Sequence, residues 1–311
     1  MLKYLIVILD DTSVSFCHYE NNSSDSRLIS LNDLKNGLIW AMKENLMVQF
    51  VYPSDNLPRE YAEIINSVDH IDITPDTSNG DVVIFNGTDS INDINETSSD
   101  NIVLRLNLKE LFNCVDELVS FIKKGKSYRI VINDITDFDE SDFENYKSVL
   151  VELSKAVENI IASGNGIQIS LVTDRMQLTE MNNCNAGVES ITLAPDGKFY
   201  ICPAFYYDCL SDVGNPKDGL NIPNQQLLKL EYAPICRKCD AYHCKRCVWL
   251  NQKTTFEVNT PSHEQCVVSH LERNESMRLL NSLKSKGLIK TFISIPEIDY
   301  LDPFEKNRKE I

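Results

Sequence analysis

Long apolar runs are missing from this chain. No stretch reaches the roughly 18 uncharged apolar residues of a bilayer-spanning helix, so no membrane partner is expected. The opening "MLKYLIVILDD" is apolar only from Tyr4 to Leu9, and two aspartates follow instead of small residues. That is too short for the core of a secretion signal and offers no cleavage site. Positive charge is scarce as well: 30 Lys+Arg face 46 Asp+Glu, a net charge of −16. A field of that sign repels phosphate backbones and anionic lipid, which sets aside nucleic acid and leaves a basic peptide or protein as the easier partner. Internal repeats and low-complexity tracts are also lacking.

What is present is a globular composition, with 42% hydrophobic residues in 311, enough for one large domain or two ordinary ones. The expected compartment is the cytoplasm, where disulfides seldom persist. Ten cysteines there call for a reason, and a metal or cluster is the usual one.

The first half alternates between two periods. Short β-branched runs at 4–9, 46–52, 81–85, 101–106, 128–132 and 167–172 read as buried strands, because parallel strands covered on both faces are continuously apolar. Helical spacing fills the gaps. Leu31, Leu34, Leu38 and Met42 share one face, and Leu108, Leu111, Val115, Leu118 and Ile122 share another. Ser141 to Ala162 reads as the clearest helix, with a Ser141–Glu144 capping box and Gly164 as its stop. Repeated β-α pairs imply an α/β fold, a parallel sheet that is open or partly closed into a barrel. Polar stretches 88–100 and 133–140 read as surface loops.

Composition changes near residue 175. The segment "ITLAPDGKFYIC" (191–202) reads as a hairpin with Gly197 in the turn, where positive φ is cheapest. An amphipathic helix is expected from Leu271 to about Leu283, then an irregular tail containing Ile295 and Asp302-Pro-Phe. The expected organisation is an α/β domain (1–175), a small cysteine-rich domain (176–270) and a C-terminal helix and tail (271–311).

Eight of the ten cysteines fall between Cys184 and Cys266. The densest run, "CRKCDAYHCKRC" (236–247), holds two Cys-x-x-Cys pairs only four residues apart. Thiolates select zinc, copper(I) or iron–sulfur centres. Zinc sites built from two such pairs usually keep about 12–20 residues between them. A tight run whose members are shared between two centres is the habit of two-cluster iron–sulfur proteins. Structural zinc stays open as the alternative, with His243 or His263 joining the cysteines. Cys114 reads as packing, and Cys17, His18 and Tyr19 as an ordinary buried thiol beside surface loop residues. Trp249 and Phe256 are expected to shield the cysteine centre.

Written whole, the pattern is C-x12-G-x4-C … C-x2-C-x4-C-x2-C-x18-C. It resembles the SPASM domain of radical-SAM peptide maturases, C-x9–15-G-x4-C … C-x2-C-x5-C-x3-C … C, with two inner spacings one residue short. The resemblance covers about residues 184–270. It implies two [4Fe–4S] clusters, one on Cys236, Cys239, Cys244 and Cys266. The second would take Cys184, Cys202 and Cys247, with Cys209 as a fourth ligand or an open iron in its place. The C-x3-C-x2-C motif by which radical-SAM enzymes hold the cluster that binds S-adenosylmethionine occurs nowhere in the chain; the loop after the first strand has only Cys17. The chain is therefore not expected to cleave S-adenosylmethionine alone. The whole chain, through "MLKYLIVILDDTSVSFCHYEN", "MKENLMVQFVYP" and the cysteine pattern, is similar to the CXXX repeat peptide maturase family. That similarity implies a Cys-rich precursor peptide and a separate radical-SAM maturase as partners. The alternative is a non-catalytic, zinc-stabilised protein that binds or presents the peptide.

Overall fold

The computed structural model describes residues 1–89, 91, 94, 96–122 and 125–297; the expected Asp302-Pro-Phe tail lies outside them. The chain begins β1 (Tyr4–Ile8), α1 (Leu31–Lys43), β2 (Met47–Val51), α2 (Arg59–Ile65), β3 (His70–Pro75), β4 (Val82–Asn86). It continues β5 (Asn101–Leu106), α3 (Leu108–Asn113), α4 (Val115–Phe121), β6 (Ser127–Ile132), α5 (Glu140–Ala162), β7 (Gln168–Ile169), α6 (Asp174–Gln177). It ends β8 (Ser190–Leu193), β9 (Phe199–Tyr200), α7 (Pro203–Tyr207), β10 (Gly214–Asn215), β11 (Gly219–Leu220), α8 (Val248–Thr255) and α9 (His263–Ser285). No helix among the described residues is long and apolar enough to cross a membrane.

The chain divides into two compact units. The first comprises Met1–Ile84, Thr97–Ser99 and Asn185–Ala233; the second comprises Phe85–Glu96, Asp100–Cys184 and Pro234 onward. The cysteine-rich segment 176–270 is thus shared between them.

In the first unit β1 lies parallel between β2 (Tyr4↔Met47) and β8 (Tyr4↔Ser190), and β3 continues the sheet beyond β2 (Val48↔His70). β9 returns antiparallel to β8 (Thr192↔Tyr200), which makes the expected hairpin. Gly197 supplies the turn at φ +77°, with the Asp33 carboxyl close by. The core packs Leu5, Val7, Leu34, Leu38, Phe50, Leu193 and Phe199. Gly37 lets α1 settle on Leu193, whose Cδ2 would lie 2.2 Å from an added Cβ. β3 escaped the periodicity reading because "HIDITP" carries His70 and Asp72 among its apolar positions. The loop after β1 folds on the buried Asp10, which accepts from Thr12 N at 2.8 Å and Ser26 Oγ at 2.8 Å. Tyr19 is not a surface residue: it is buried and stacks on Tyr207 with ring centroids 5.5 Å apart.

The second unit holds parallel β5 and β6 (Asn101↔Ser127) with β7 beyond (Ser127↔Gln168). Several expected boundaries move. The helix over 108–122 breaks at Cys114, whose φ of −108° is not helical, and gives α3 and α4. The capping box of α5 is Asp139–Asp142, not Ser141–Glu144: Asp139 accepts from Ser141 N and Asp142 N, and Asp142 accepts from Asp139 N. The strand at 167–172 shortens to two residues because the Thr173 hydroxyl bonds both Ile169 N and Ile169 O and turns the chain. α9 starts at His263, so Cys266 lies in its first turns, and the helix packs along α5.

Candidate metal centre

Four of the eight singled-out cysteines meet. Cys236, Cys239, Cys244 and Cys266, all in the second unit, line one cavity together with Arg246, Gln265, Ser269 and His270. Three come from the short-range run, and its close spacing is what brings them to one side. A 3-10 turn, Cys236–Lys238, sets the first two: its closing bond runs from Cys239 N to Cys236 O at 3.1 Å. Cys266 arrives from α9, and His270, four residues on, shares its helix face. The space enclosed is about 20 Å³, room for about one water.

Cys236 is buried and Cys239, Cys244 and Cys266 are half-buried, and that governs the protonation of the first three. Burial, with the neighbouring Cys244, pushes the Cys236 thiol up to about 12, although Arg246 pulls the other way. Burial likewise pushes Cys239 to about 11 and raises Cys244, against the Ser269 hydrogen bond. Proton loss on metal binding is the step that converts them into ligands. Cys239 Sγ accepts from Ala241 N at 3.4 Å and lies 3.4 Å from His270 Nε2. Arg246, 2% exposed and in the left-handed backbone region at φ 44°, puts a cation on the cavity wall.

The linker between Cys239 and Cys244 is held from both sides. Arg273, fully buried on α9, grips Asp240 with Nε (3.0 Å) and Nη2 (2.7 Å). Arg175 on α6 donates to Asp240 O at 2.6 Å and lies 4.3 Å over the Tyr242 ring. Burial alone would raise the Asp240 carboxyl; the hydrogen bonds and charge of Arg273 outweigh it and hold it below the usual range. On the other side His243 Nε2 meets Glu272 Oε2 at 2.9 Å, and Tyr146 from α5 donates to Glu272 Oε1 at 2.6 Å. His243 is thus engaged by a buried carboxylate. His263 is exposed, its ring beside Phe143.

The other four cysteines are placed as follows. Cys202 and Cys209 belong to the first unit and bracket α7, Cys202 as its N-cap and Cys209 exposed at φ 54° beyond its end. Cys184 and Cys247 belong to the second unit. Cys184 N donates to Lys245 O at 2.9 Å, and Cys247 caps α8, its Sγ accepting from Leu250 N at 3.5 Å. Trp249 is buried, but Phe256 is 88% exposed in a left-handed C-cap and shields nothing. Cys114 is buried and its thiol is pushed up to about 11 by burial, as packing requires.

Sequence reasoning missed His270, Arg273, Arg175 and Tyr146. Only His270 carried a signal, the Cys266-x3-His270 spacing inside a helix.

No protein-family model matches the sequence, and no curated protein sequence does. Among solved structures, native anSMEcpe with bound AdoMet and the Cp18Cys peptide aligns at TM-score 0.58 and 12% identity, over 92% of this chain and 100% of that one. Streptococcus suis SuiB bound to S-adenosylmethionine aligns at TM-score 0.44 and 10% identity, over 86% and 75%. At such identities the likeness of the first establishes a shared α/β fold.

Proposed function

We propose that this chain takes part in maturing a ribosomally synthesised, Cys-x-x-x-repeat peptide, as an auxiliary iron–sulfur protein of SPASM type. It works beside a radical-SAM maturase that carries the C-x3-C-x2-C motif missing here. One observation carries the reading: four thiols in the SPASM-like order surround one buried cavity. The fold supports it, being shared with a protein captured with AdoMet and a peptide.

The cysteine spacing favours a cluster over zinc, because the two Cys-x-x-Cys pairs lie only four residues apart, against the roughly 12–20 usual in a two-pair zinc site. In a [4Fe–4S] cluster each thiolate takes a different iron, so a four-cysteine set supplies one ligand per iron. Cys236, Cys239, Cys244 and Cys266 would hold one cluster, and the resemblance implies a second on other cysteines of the chain, with or without an open iron. When bound, such clusters supply one-electron transfer or, at an open iron, a seat for a substrate thiolate. The chain's own part is to exclude water, with Arg246 offsetting the anionic charge, and to clamp the 240–243 linker through Asp240 and His243.

The test is capture of a synthetic Cys-x-x-x-repeat peptide by the full chain under anaerobic, reducing conditions, against a Cys-to-Ala peptide. Selective retention of the cysteine peptide is expected. Equal or no retention contradicts the peptide role. Retention by a sulfide-free zinc protein would instead make the chain a scaffold.

A further inference from the structure

We infer that His270 is a positioning residue of the thiolate centre, its Nε2–H donating to Sγ of Cys239 and setting the reduction potential there. The inference rests on the cluster reading above and adds a residue that the cysteine pattern does not contain.

Three observations carry it. His270 and Cys266 stand four residues apart on α9, a 23-residue helix, so one rigid face presents both to the cavity. His270 is 3% exposed, so water does not compete for its ring. Its Nε2 lies 3.4 Å from Cys239 Sγ, the separation of an N–H···S hydrogen bond.

The chemistry then sets the tautomer. A ligating sulfur is a thiolate, and a thiolate only accepts. The nitrogen facing it must carry the proton, so Nε2 is the donor. A second donor, Ala241 N, reaches the same sulfur at 3.4 Å. Cys239 thereby has both a backbone and a side-chain donor, as Cys244 has from Arg246 N and Ser269. Four thiols already match four irons, which leaves His270 outside the ligand set. Hydrogen bonds to cluster sulfurs stabilise the more negative, reduced state and raise the potential.

The experiment compares the anaerobically reconstituted full chain with His270→Leu and His270→Gln, reading iron, sulfide and zinc content and the midpoint potential. His270→Leu is expected to keep the wild-type iron content while the reduction equilibrium falls about tenfold, a shift of about 59 mV to more negative values for one electron. His270→Gln keeps a side-chain N–H and is expected to fall between the two. An unchanged potential in His270→Leu at full iron content overturns this inference alone. Loss of iron in both variants, with unchanged melting of the metal-free chains, overturns it by making His270 a ligand. A sulfide-free, zinc-loaded wild type overturns the cluster reading and takes this inference with it.

Discussion

Removing the Arg273 side chain should loosen the cysteine linker while leaving every thiol in place. Arg273 is fully buried, and its fork holds Asp240 by three contacts of 3.0, 3.1 and 2.7 Å. Its Nη2 also donates to Pro296 O. In Arg273→Met the carboxylate keeps Arg175, whose Nη2 stands 3.8 Å away. Breaking a buried pair by removing one partner costs about 3–5 kcal/mol. The Asp240 side chain retains 24% exposure, so solvent takes up part of the stranded charge and about 2–4 kcal/mol is the working figure. For a unit of this size each kcal/mol moves the melting temperature by about 2–4 °C, and a drop of about 4–16 °C follows. The assay is thermal melting by far-ultraviolet circular dichroism on the metal-free full chain under reductant. Adding Asp240→Asn to Arg273→Met should restore part of the loss, because the stranded charge is gone. A melting temperature within 2 °C of wild type for Arg273→Met would refute the clamp.

Tyr146→Phe should cost about 1.5–3 kcal/mol, since it takes a hydrogen bond from the buried Glu272 carboxylate, read as a lower urea midpoint at unchanged slope. Gly197→Ala should destabilise by about 1–2 kcal/mol, the cost of an L side chain in the left-handed region, because φ is +77° and the new Cβ meets the Asp33 carboxyl at 2.8 Å; Gly197→Asn should cost less. Glu158 is held below the usual carboxylate range by the Ser282 hydroxyl and Lys286. A depressed carboxyl stabilises the fold above its unfolded value near 4 and loses that contribution as pH falls through its folded value. Melting of Glu158→Gln should therefore fall below wild type at pH 7, with the gap closing as pH falls below about 4.

The continuous apolar strands were legible in the sequence because burial on both faces leaves no polar position to confuse the period. β3 was not, since His70 and Asp72 sit within it. The start of α9 was hidden for a related reason. Its buried face there includes Gln265, Ser269, His270, Glu272 and Arg273, and polar groups buried around a polar centre do not look like core. Spacing alone put Cys236, Cys239 and Cys244 near one another, within residues 236–244; that Cys266 joins them came only from the resemblance, since it lies well beyond that run. What surrounds these thiols was not legible, because Tyr146, Arg175 and Arg273 arrive from distant positions in the chain. The capping box of α5 shifted because two adjacent candidates, Asp139 and Ser141, compete, and the carboxylate satisfies two backbone donors at once.

The most direct test of the central claim is the iron, sulfide and zinc content of the full chain purified without oxygen, together with Cys236→Ala and Cys114→Ala. Two clusters predict about eight irons and eight sulfides per wild-type chain, fewer in Cys236→Ala and no change in Cys114→Ala. One or two zincs per chain with no sulfide would contradict the account.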